Sequence, residues 1–216
     1  MCTLVVRTGP PLTLLGVRDE ITDRPWEGAG EHWPEYPGVI GGRDLKAGGT
    51  WLAVLPAARR AAALLNAYGA AAPEAVRRSR GDLALRAVAA GTFPDVDLTR
   101  YDPFHLVLAG PSGARLHTWD GERLAATALP DGTSMVVNSG LDPAHPRVQA
   151  HLPRFAAAAG WDALPEGEHS GDPAALLVRR ELPDGRVFAS LSVMRVTLAD
   201  ESATYQLTDL TADRDR

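Results

Sequence analysis

The feature that most constrains the fold of this chain is a series of short apolar segments interrupted by glycine and proline. Two of them, residues 3–7 (TLVVR) and 12–17 (LTLLGV), are separated by the turn sequence Gly9-Pro10-Pro11. Segments of this length on either side of such a turn predict an antiparallel hairpin. Similar segments predict further strands at 50–55, 61–68, 104–110, 114–120, 134–140, 185–198 and 203–210.

Two predicted helices interrupt these strands. The first starts near Ser79, which with Asp82 has the spacing of a capping box, and ends at Gly91. The second starts near Pro146, where apolar residues begin to recur at helical spacing. Residues 18–49 are rich in glycine, proline and tryptophan and are predicted to form a long irregular loop. The order of elements predicts an α+β fold, with sheet packed on sheet and helices outside.

The composition is that of an ordinary globular protein. The 216 residues are 45% apolar and 23% charged, with a net charge of -5, and they fit a single domain spanning residues 1–216. The negative charge argues against a nucleic-acid partner. No stretch approaches the roughly 20 apolar residues of a membrane-spanning helix. Nothing resembles a secretory signal, so we expect a cytoplasmic protein.

The chain has one cysteine, Cys2, and six histidines without metal-binding spacing. A single cysteine excludes an internal disulfide and a multi-thiolate zinc site. We therefore expect neither a metal nor another cofactor.

The predicted hairpin gives Cys2 charged neighbours. Arg18 and Asp19 directly follow the second strand, and in an antiparallel hairpin the start of one strand lies beside the end of the next. A nearby guanidinium lowers the pKa of a thiol and favours the reactive thiolate. If Met1 is removed, the α-amine of Cys2 can act as a general base and Asp19 can orient it. The alternative is an ordinary small apolar residue beside a solvated run of charges.

Several motifs occur in a fixed order over nearly the whole chain. They are MCTLVV at the start, VRDE at 17–20, RPW at 24–26, GGRD at 41–44, GGTWLAV at 48–54, SRGDL at 79–83 and VNSGLD at 137–142. Together they resemble the NRDE family, whose animal members are called the transport and Golgi organisation 2 proteins. That family is similar to N-terminal nucleophile hydrolases of the cysteine type, such as penicillin V acylases and bile salt hydrolases. The resemblance implies a four-layer αββα sandwich.

The resemblance also implies a set of site residues. Cys2 would be the nucleophile, Arg18 the stabiliser of the thiolate and the intermediate, and Asp19 the partner of the α-amine. Asn66 resembles the oxyanion-hole position, and Asn138 resembles the position that orients substrate and amine. Side-chain amides are suitable oxyanion donors, although an asparagine followed by serine and glycine also suits a turn.

Four further residues bear on the substrate. The motif that names the family has asparagine before Arg-Asp-Glu, whereas this chain has Val17. If that asparagine shapes a pocket, the substrate of this protein differs. Trp26, Trp33 and Trp51 are candidates for the lining of an apolar substrate pocket, although core packing is the commoner role of such residues.

Two main functions remain open from the sequence. The first is a hydrolase that cleaves, or forms, a non-peptide amide C–N bond of a small acyl substrate through an acyl-thioester intermediate. The second is a non-catalytic protein that binds and passes on haem or a lipid, because family members have been linked to such ligands. The sequence has no paired histidine or Cys-Pro haem motif. A third possibility is that the family fold serves one dedicated biosynthetic step.

Overall fold

The computed structural model describes residues 2–161 and 169–211. The strands of these residues are β1 (Thr3–Thr8), β2 (Leu12–Ile21), β3 (Trp26–Gly30), β4 (Ile40–Asp44), β5 (Leu52–Leu55), β6 (Arg60–Asn66), β7 (Phe104–Gly110), β8 (Gly113–Trp119), β9 (Leu124–Ala128), β10 (Gly132–Val136), β11 (Arg179–Glu181), β12 (Val187–Leu198) and β13 (Ala203–Asp209). The helices are α1 (Gly81–Ala90) and α2 (Pro146–Ala157).

The strands form two antiparallel sheets. The six-stranded sheet has the order β10-β1-β2-β12-β11, and β13 also pairs with β12. The seven-stranded sheet has the order β3-β4-β5-β6-β7-β8-β9. The predicted N-terminal hairpin is confirmed, because β1 pairs with β2 from Thr3 opposite Val17 to Arg7 opposite Thr13. Two antiparallel sheets with two helices confirm the α+β class.

The predicted loop at residues 18–49 is wrong over much of its length. Strand β2 continues to Ile21, and β3 and β4 lie within the segment. The glycines that suggest a loop are required here by close packing. A Cβ atom on Gly41 would lie 2.7 Å from the carbonyl oxygen of Leu52, and one on Gly42 would lie 2.6 Å from the ring of Trp51. Glycine in a strand often marks such a close approach.

The predicted start of α1 is also corrected. Arg80, not Ser79, occupies the N-cap position, and its side chain makes no capping hydrogen bond. The carboxylate of Asp82 accepts hydrogen bonds from Arg86 and from the hydroxyl of Tyr101 instead of completing a capping box. The predicted end of the helix is confirmed, because Gly91 has a φ of 75° and lies in the left-handed region.

Three clusters of buried apolar side chains stabilise this arrangement. One combines residues of both sheets, including Leu14 and Val107. A second combines the seven-stranded sheet with α1 and includes Leu83. The third combines the six-stranded sheet with α2 and includes Val17 and Phe155. Each fully buried side chain of this size contributes roughly 1.5–3 kcal/mol, so the clusters hold β1, β2 and β6 firmly where their ends meet.

Candidate active site

A cleft of about 200 Å³ lies where the start of β1 meets the ends of β2 and β6. Its lining consists of Cys2, Arg18, Asp19, Glu20, Arg24, Asp44, Ala47, Gly49, Thr50, Trp51, Leu64, Asn66, Ser79, Arg80 and Gly81. Residues from four separate parts of the chain therefore converge on the only cysteine. Four of the five predicted catalytic residues line this cleft, and Asn138 does not.

Cys2 lies directly before β1, beside the end of β2. Its thiol is half-buried against the cluster between the sheets and donates a long hydrogen bond to the carbonyl oxygen of Asp19, with 3.8 Å between Sγ and O. Burial raises the pKa of this thiol, and the carboxylate of Asp19 acts in the same direction. The charge of Arg18 lowers the pKa as predicted, but burial outweighs it.

Arg18 presents its guanidinium to the cleft while almost fully buried. The guanidinium carbon lies 4.2 Å from the ring centre of Trp51 and 5.8 Å from that of Trp26. Nη2 lies 3.5 Å from Oδ2 of Asp44 and 4.0 Å from Oε2 of Glu20. Nη1 is buried without a hydrogen-bond partner among the described residues. A cation held between aromatic rings and carboxylates in this way keeps a fixed position.

Asp44 connects the two sheets at the cleft. Its carboxylate, at the end of β4, accepts two hydrogen bonds from Arg24, at 2.5 Å from Nε and 3.1 Å from Nη2. Oδ1 also accepts from the amides of Lys46 and Ala47, which closes the turn after β4. Burial raises the pKa of Asp44, but the hydrogen bonds and the charges of Arg24 and Arg18 outweigh it, so the net pKa is lowered.

The side chain of Asp19 belongs to a buried polar network. Oδ1 accepts a hydrogen bond of 2.6 Å from the hydroxyl of Ser190. Oδ2 lies 3.6 Å from Nη1 of Arg147, which donates to Oγ1 of Thr3 at 2.7 Å. Burial raises the pKa of Asp19, while Ser190 and Arg147 oppose that rise. Removing one partner of a buried ion pair typically costs about 3–5 kcal/mol.

Arg147 is a residue that the sequence did not single out. It is the second residue of α2, and its side chain is completely buried, although arginine side chains are mostly exposed. Its Nε and Nη2 atoms have no hydrogen-bond partner among the described residues. No local pattern marks it, because its partners lie 144 and 128 positions away in the sequence.

The two predicted asparagines are connected to each other. Nδ2 of Asn138 donates a hydrogen bond of 2.6 Å to the backbone oxygen of Asn66, and Oδ1 of Asn138 is buried without a hydrogen-bond partner among the described residues. His105 contacts the backbone oxygen of Asn138 through Nε2 at 3.2 Å and Oγ1 of Thr118 through Nδ1 at 2.9 Å. Burial lowers the pKa of His105. Asn138 therefore supports the end of β6, where the exposed Asn66 borders the cleft.

The three tryptophans have different positions. Trp51 lines the cleft. The ring of Trp26 packs edge-on against the ring of Trp51, with 5.8 Å between ring centres. Trp33 lies in the cluster that includes α1 and does not line the cleft. Its indole N–H donates to the carbonyl oxygen of Gly48 at 2.7 Å, which fixes the turn at the cleft edge.

Two of the sequence motifs contact each other at the cleft wall. The amide of Thr50, in GGTWLAV, donates to the carbonyl oxygen of Gly81, in SRGDL, at 3.1 Å. A Cβ atom on Gly49 would lie 2.5 Å from the carbonyl carbon of Gly81, so only glycine permits this approach. The contact brings Arg80 to the cleft. Arg80 is half-buried, and its Nη1 donates to the carbonyl oxygen of Pro103 at 2.8 Å.

The family model for transport and Golgi organisation 2 matches residues 1–183. The chain belongs to this family. The matched part includes every residue that lines the cleft, together with Asn138 and Arg147. No protein of curated function matches the sequence.

Val17 stands where the resemblance described above implies an asparagine before Arg-Asp-Glu. Its side chain is buried in the cluster that includes α2, opposite Thr3 on β1 and Val193 on β12. It does not line the 200 Å³ cleft. Val17 therefore contributes to the packing between the six-stranded sheet and α2 and not to the lining of this cleft.

Two kinds of feature are absent from the described residues. Residues 2–161 and 169–211 contain no group of three histidine, cysteine, aspartate or glutamate side chains placed to hold a metal ion. Over the same residues, neither helix has the length and apolar character needed to cross a membrane.

Proposed function

We propose that this family member is an N-terminal cysteine hydrolase that cleaves, or in reverse forms, a non-peptide amide C–N bond of a small acyl substrate. One observation carries the proposal. The thiol of the only cysteine borders a cleft, with a buried guanidinium on one side and a buried carboxylate network on the other. A nucleophile, a cation for developing negative charge and a group that orients the base are the parts that acyl transfer requires.

The proposed reaction has two half-steps. The α-amine of Cys2 takes the thiol proton, and the thiolate attacks the substrate carbonyl carbon. The tetrahedral intermediate collapses, the C–N bond breaks, and the leaving amine takes the proton from the ammonium group. Water then attacks the thioester, its proton passing to the α-amine and on to the sulfur, and the carboxylic acid leaves. No redox step or co-reactant other than water is required.

The need for a local base follows from the thiol's surroundings. Because burial raises the pKa of Cys2, few molecules carry a thiolate at neutral pH unless the proton has an acceptor nearby. An amide nitrogen cannot accept that proton. The proposal therefore requires processing that leaves Cys2 as the first residue of the mature protein.

The other side chains divide into contacting and positioning roles. Arg18 faces the thiol and stabilises the thiolate and the anionic intermediate. Asp19 orients the α-amine, and Arg147 holds Asp19 in place. Asn66, exposed at the cleft, is the proposed oxyanion donor, and Asn138 positions it through the bond to its backbone.

We also propose that residues 1–216 form one domain with the αββα layer order of N-terminal nucleophile hydrolases. The support is that one apolar cluster combines residues of the two sheets, while the other two each combine one sheet with one helix. A cytoplasmic location belongs to the same proposal, since a reducing compartment keeps a lone nucleophilic thiol reduced.

The cleft favours a small polar substrate over haem or a lipid. Its volume of about 200 Å³ is below the roughly 300–1,000 Å³ of sites that enclose drug-sized ligands. Six of its fifteen lining residues are charged, namely Arg18, Asp19, Glu20, Arg24, Asp44 and Arg80. An apolar ligand would cover these charged groups without offering them a hydrogen-bond partner, which is unfavourable.

The test is an intact-mass measurement on the protein processed to Cys2, after incubation with a panel of activated esters and amides. We expect a transient acyl adduct on the wild-type chain and none on Cys2→Ala. Cys2→Ala should change the melting temperature little, because the thiol is only half-buried. Turnover retained by Cys2→Ala would exclude the nucleophile role. Absence of any adduct, together with haemin binding in a visible-band titration, would favour the ligand carrier.

A further inference from the structure

Arg80 is the third arginine on the cleft, after Arg18 and Arg24, and the proposed reaction does not use it. Its guanidinium lines the cleft and is held by the hydrogen bond to the carbonyl oxygen of Pro103. Arg80 and Cys2 line the same cleft, and a thiolate at Cys2 raises the pKa of Arg80. Burial lowers the pKa of Arg80, so an anionic partner would be favourable.

The charges around the cleft leave Arg80 without a paired acid. Asp44 binds Arg24 and Arg18. Glu20 lies within 4.0 Å of the same two arginines, and Asp19 faces Arg147. Among the described residues no carboxylate oxygen lies within 4.0 Å of the Arg80 guanidinium, and the acid whose charge affects it most, Asp102, is bound to Arg77 at 3.2 Å.

Two independent features beside Arg80 also suit an anion. Arg80 is the N-cap of the ten-residue helix α1, whose start borders the cleft at Gly81. The side chain of Arg80 makes no capping hydrogen bond, and the amide of Gly81 donates to the hydroxyl of Ser79 at 3.3 Å. A helix start attracts negative charge, and the nearest acid, Asp82, is held by Arg86. Arg18 lines the same cleft; it is about 97% buried, and its Nη1 atom has no hydrogen-bond partner among the described residues.

We propose that Arg80 and the start of α1 form a subsite for a carboxylate group of the substrate, beside the thiol of Cys2. The enzyme would then act on acyl compounds that carry an anion close to the bond that breaks. The identity of the ligand as a substrate rests on the proposed hydrolase function. The attraction of an anion to the neighbourhood of Cys2 is independent of that function.

The test compares two alkylating reagents of similar size, anionic iodoacetate and neutral iodoacetamide. Because Cys2 is the only cysteine, each reagent reports on this site alone, and intact mass confirms a single addition. The ratio of the two rate constants cancels differences in thiol pKa, since both reagents need the same thiolate. The variants are Arg80→Gln, Arg80→Lys and the control Arg78→Gln, an exposed arginine of the same segment that does not line the cleft.

We expect Arg80→Gln to lower the iodoacetate-to-iodoacetamide ratio by about fivefold, the factor for two unit charges roughly 4 Å apart in water. Arg80→Lys should keep most of the wild-type ratio, and Arg78→Gln should leave it unchanged. In the wild-type protein, added acetate should slow alkylation by iodoacetate more than added acetamide does, which tests the subsite even if Arg80→Gln fails to fold. Equal ratios in wild type and Arg80→Gln, or equal effects of acetate and acetamide, would overturn the proposal.

A second arm addresses the substrate itself. Activated esters of a dicarboxylic acid and of the matching monocarboxylic acid place the carboxylate on the acyl side. N-acyl amino acids and their carboxamides place it on the leaving amine. If the anionic member of one pair acylates Cys2 faster than its neutral partner, that pair shows whether Arg80 binds the acyl side or the amine side of the substrate. Acylation of both neutral members as fast as their anionic partners would show a hydrolase without this subsite.

Discussion

At the residue scale, the reactivity of Cys2 is set by burial and charge acting in opposite directions. Burial against the cluster between the sheets raises the thiol pKa, and Arg18 lowers it. The same burial holds the guanidinium of Arg18 over the ring of Trp51. A thiol at the end of a packed sheet therefore lies beside a fixed cation but ionises less easily than a thiol in water.

The first prediction concerns the replacement of Arg18. Arg18→Gln should raise the pKa of the Cys2 thiol further, because burial then acts with less opposition. The midpoint of the pH dependence of iodoacetamide alkylation should move upward, and the rate at pH 7 should fall severalfold. Arg123→Gln, which removes an exposed arginine outside the cleft, is the control for net charge. Coincident pH profiles for Arg18→Gln and wild type would show that the guanidinium does not act on the thiol.

At the scale of elements, the cleft depends on the contact between the turn before β5 and the start of α1. A Cβ atom on Gly49 would lie 2.5 Å from the carbonyl carbon of Gly81, which leaves no room for a side chain, and one on Gly81 would lie 3.1 Å from Cα of Gly49. The bond from Thr50 to Gly81 joins the same two segments. This contact determines where Arg80 lies.

The second prediction concerns a methyl group added at the contact between Gly49 and Gly81. Gly49→Ala should destabilise the fold by about 1–3 kcal/mol, the usual cost of overpacking, and lower the melting temperature by several degrees. The control is Gly28→Ala on β3, where a Cβ atom meets nothing within 4 Å. If Arg80 moves with the start of α1, Gly49→Ala also lowers the iodoacetate-to-iodoacetamide ratio. If Gly49→Ala and Gly28→Ala have the same melting temperature, the turn before β5 and the start of α1 can move apart without loss of stability.

At the scale of the whole molecule, a cluster of charges joins the sheets at the cleft. Asp44 ends β4 of the seven-stranded sheet, and its partners Arg18 and Arg24 lie on and just after β2 of the six-stranded sheet. The three groups are largely shielded from water, so salt screens them less than surface pairs.

The third prediction concerns the pH dependence of stability. The pKa of Asp44 is lowered in the folded protein from its ordinary value of 3.8. Its ionised form therefore stabilises the fold above about pH 3.8, and this stabilisation is lost as the pH falls through the lowered pKa. Asp44→Asn should cost about 2 kcal/mol at pH 7, the usual contribution of hydrogen bonds to a charged group. That cost should shrink below pH 3.8.

Denaturant unfolding at pH 7 and at pH 3 measures both values, with Asp131→Asn in the exposed turn before β10 as the control. A cost of Asp44→Asn that is the same at both pH values would contradict the charge cluster as the source of the stability.

The sequence by itself determined the features that depend on near neighbours. The alternation of apolar runs and turns predicted the β1–β2 hairpin, and the hairpin predicted that Cys2 lies beside Arg18. The helical spacing after Pro146 predicted α2. The ordered motifs indicated the family to which the chain belongs. Each of these follows from local backbone preference or from pairing across a short turn.

Only the tertiary structure decided the features that depend on distant contacts. The glycines of β4 suggested a loop until Leu52 and Trp51 were seen to pack against them. Arginine side chains are mostly exposed, and only the packing of α2 on the six-stranded sheet buries Arg147 beside Asp19. The net rise in the thiol pKa of Cys2 likewise comes from burial. Burial arises when segments far apart in the chain pack together, and no local pattern encodes it.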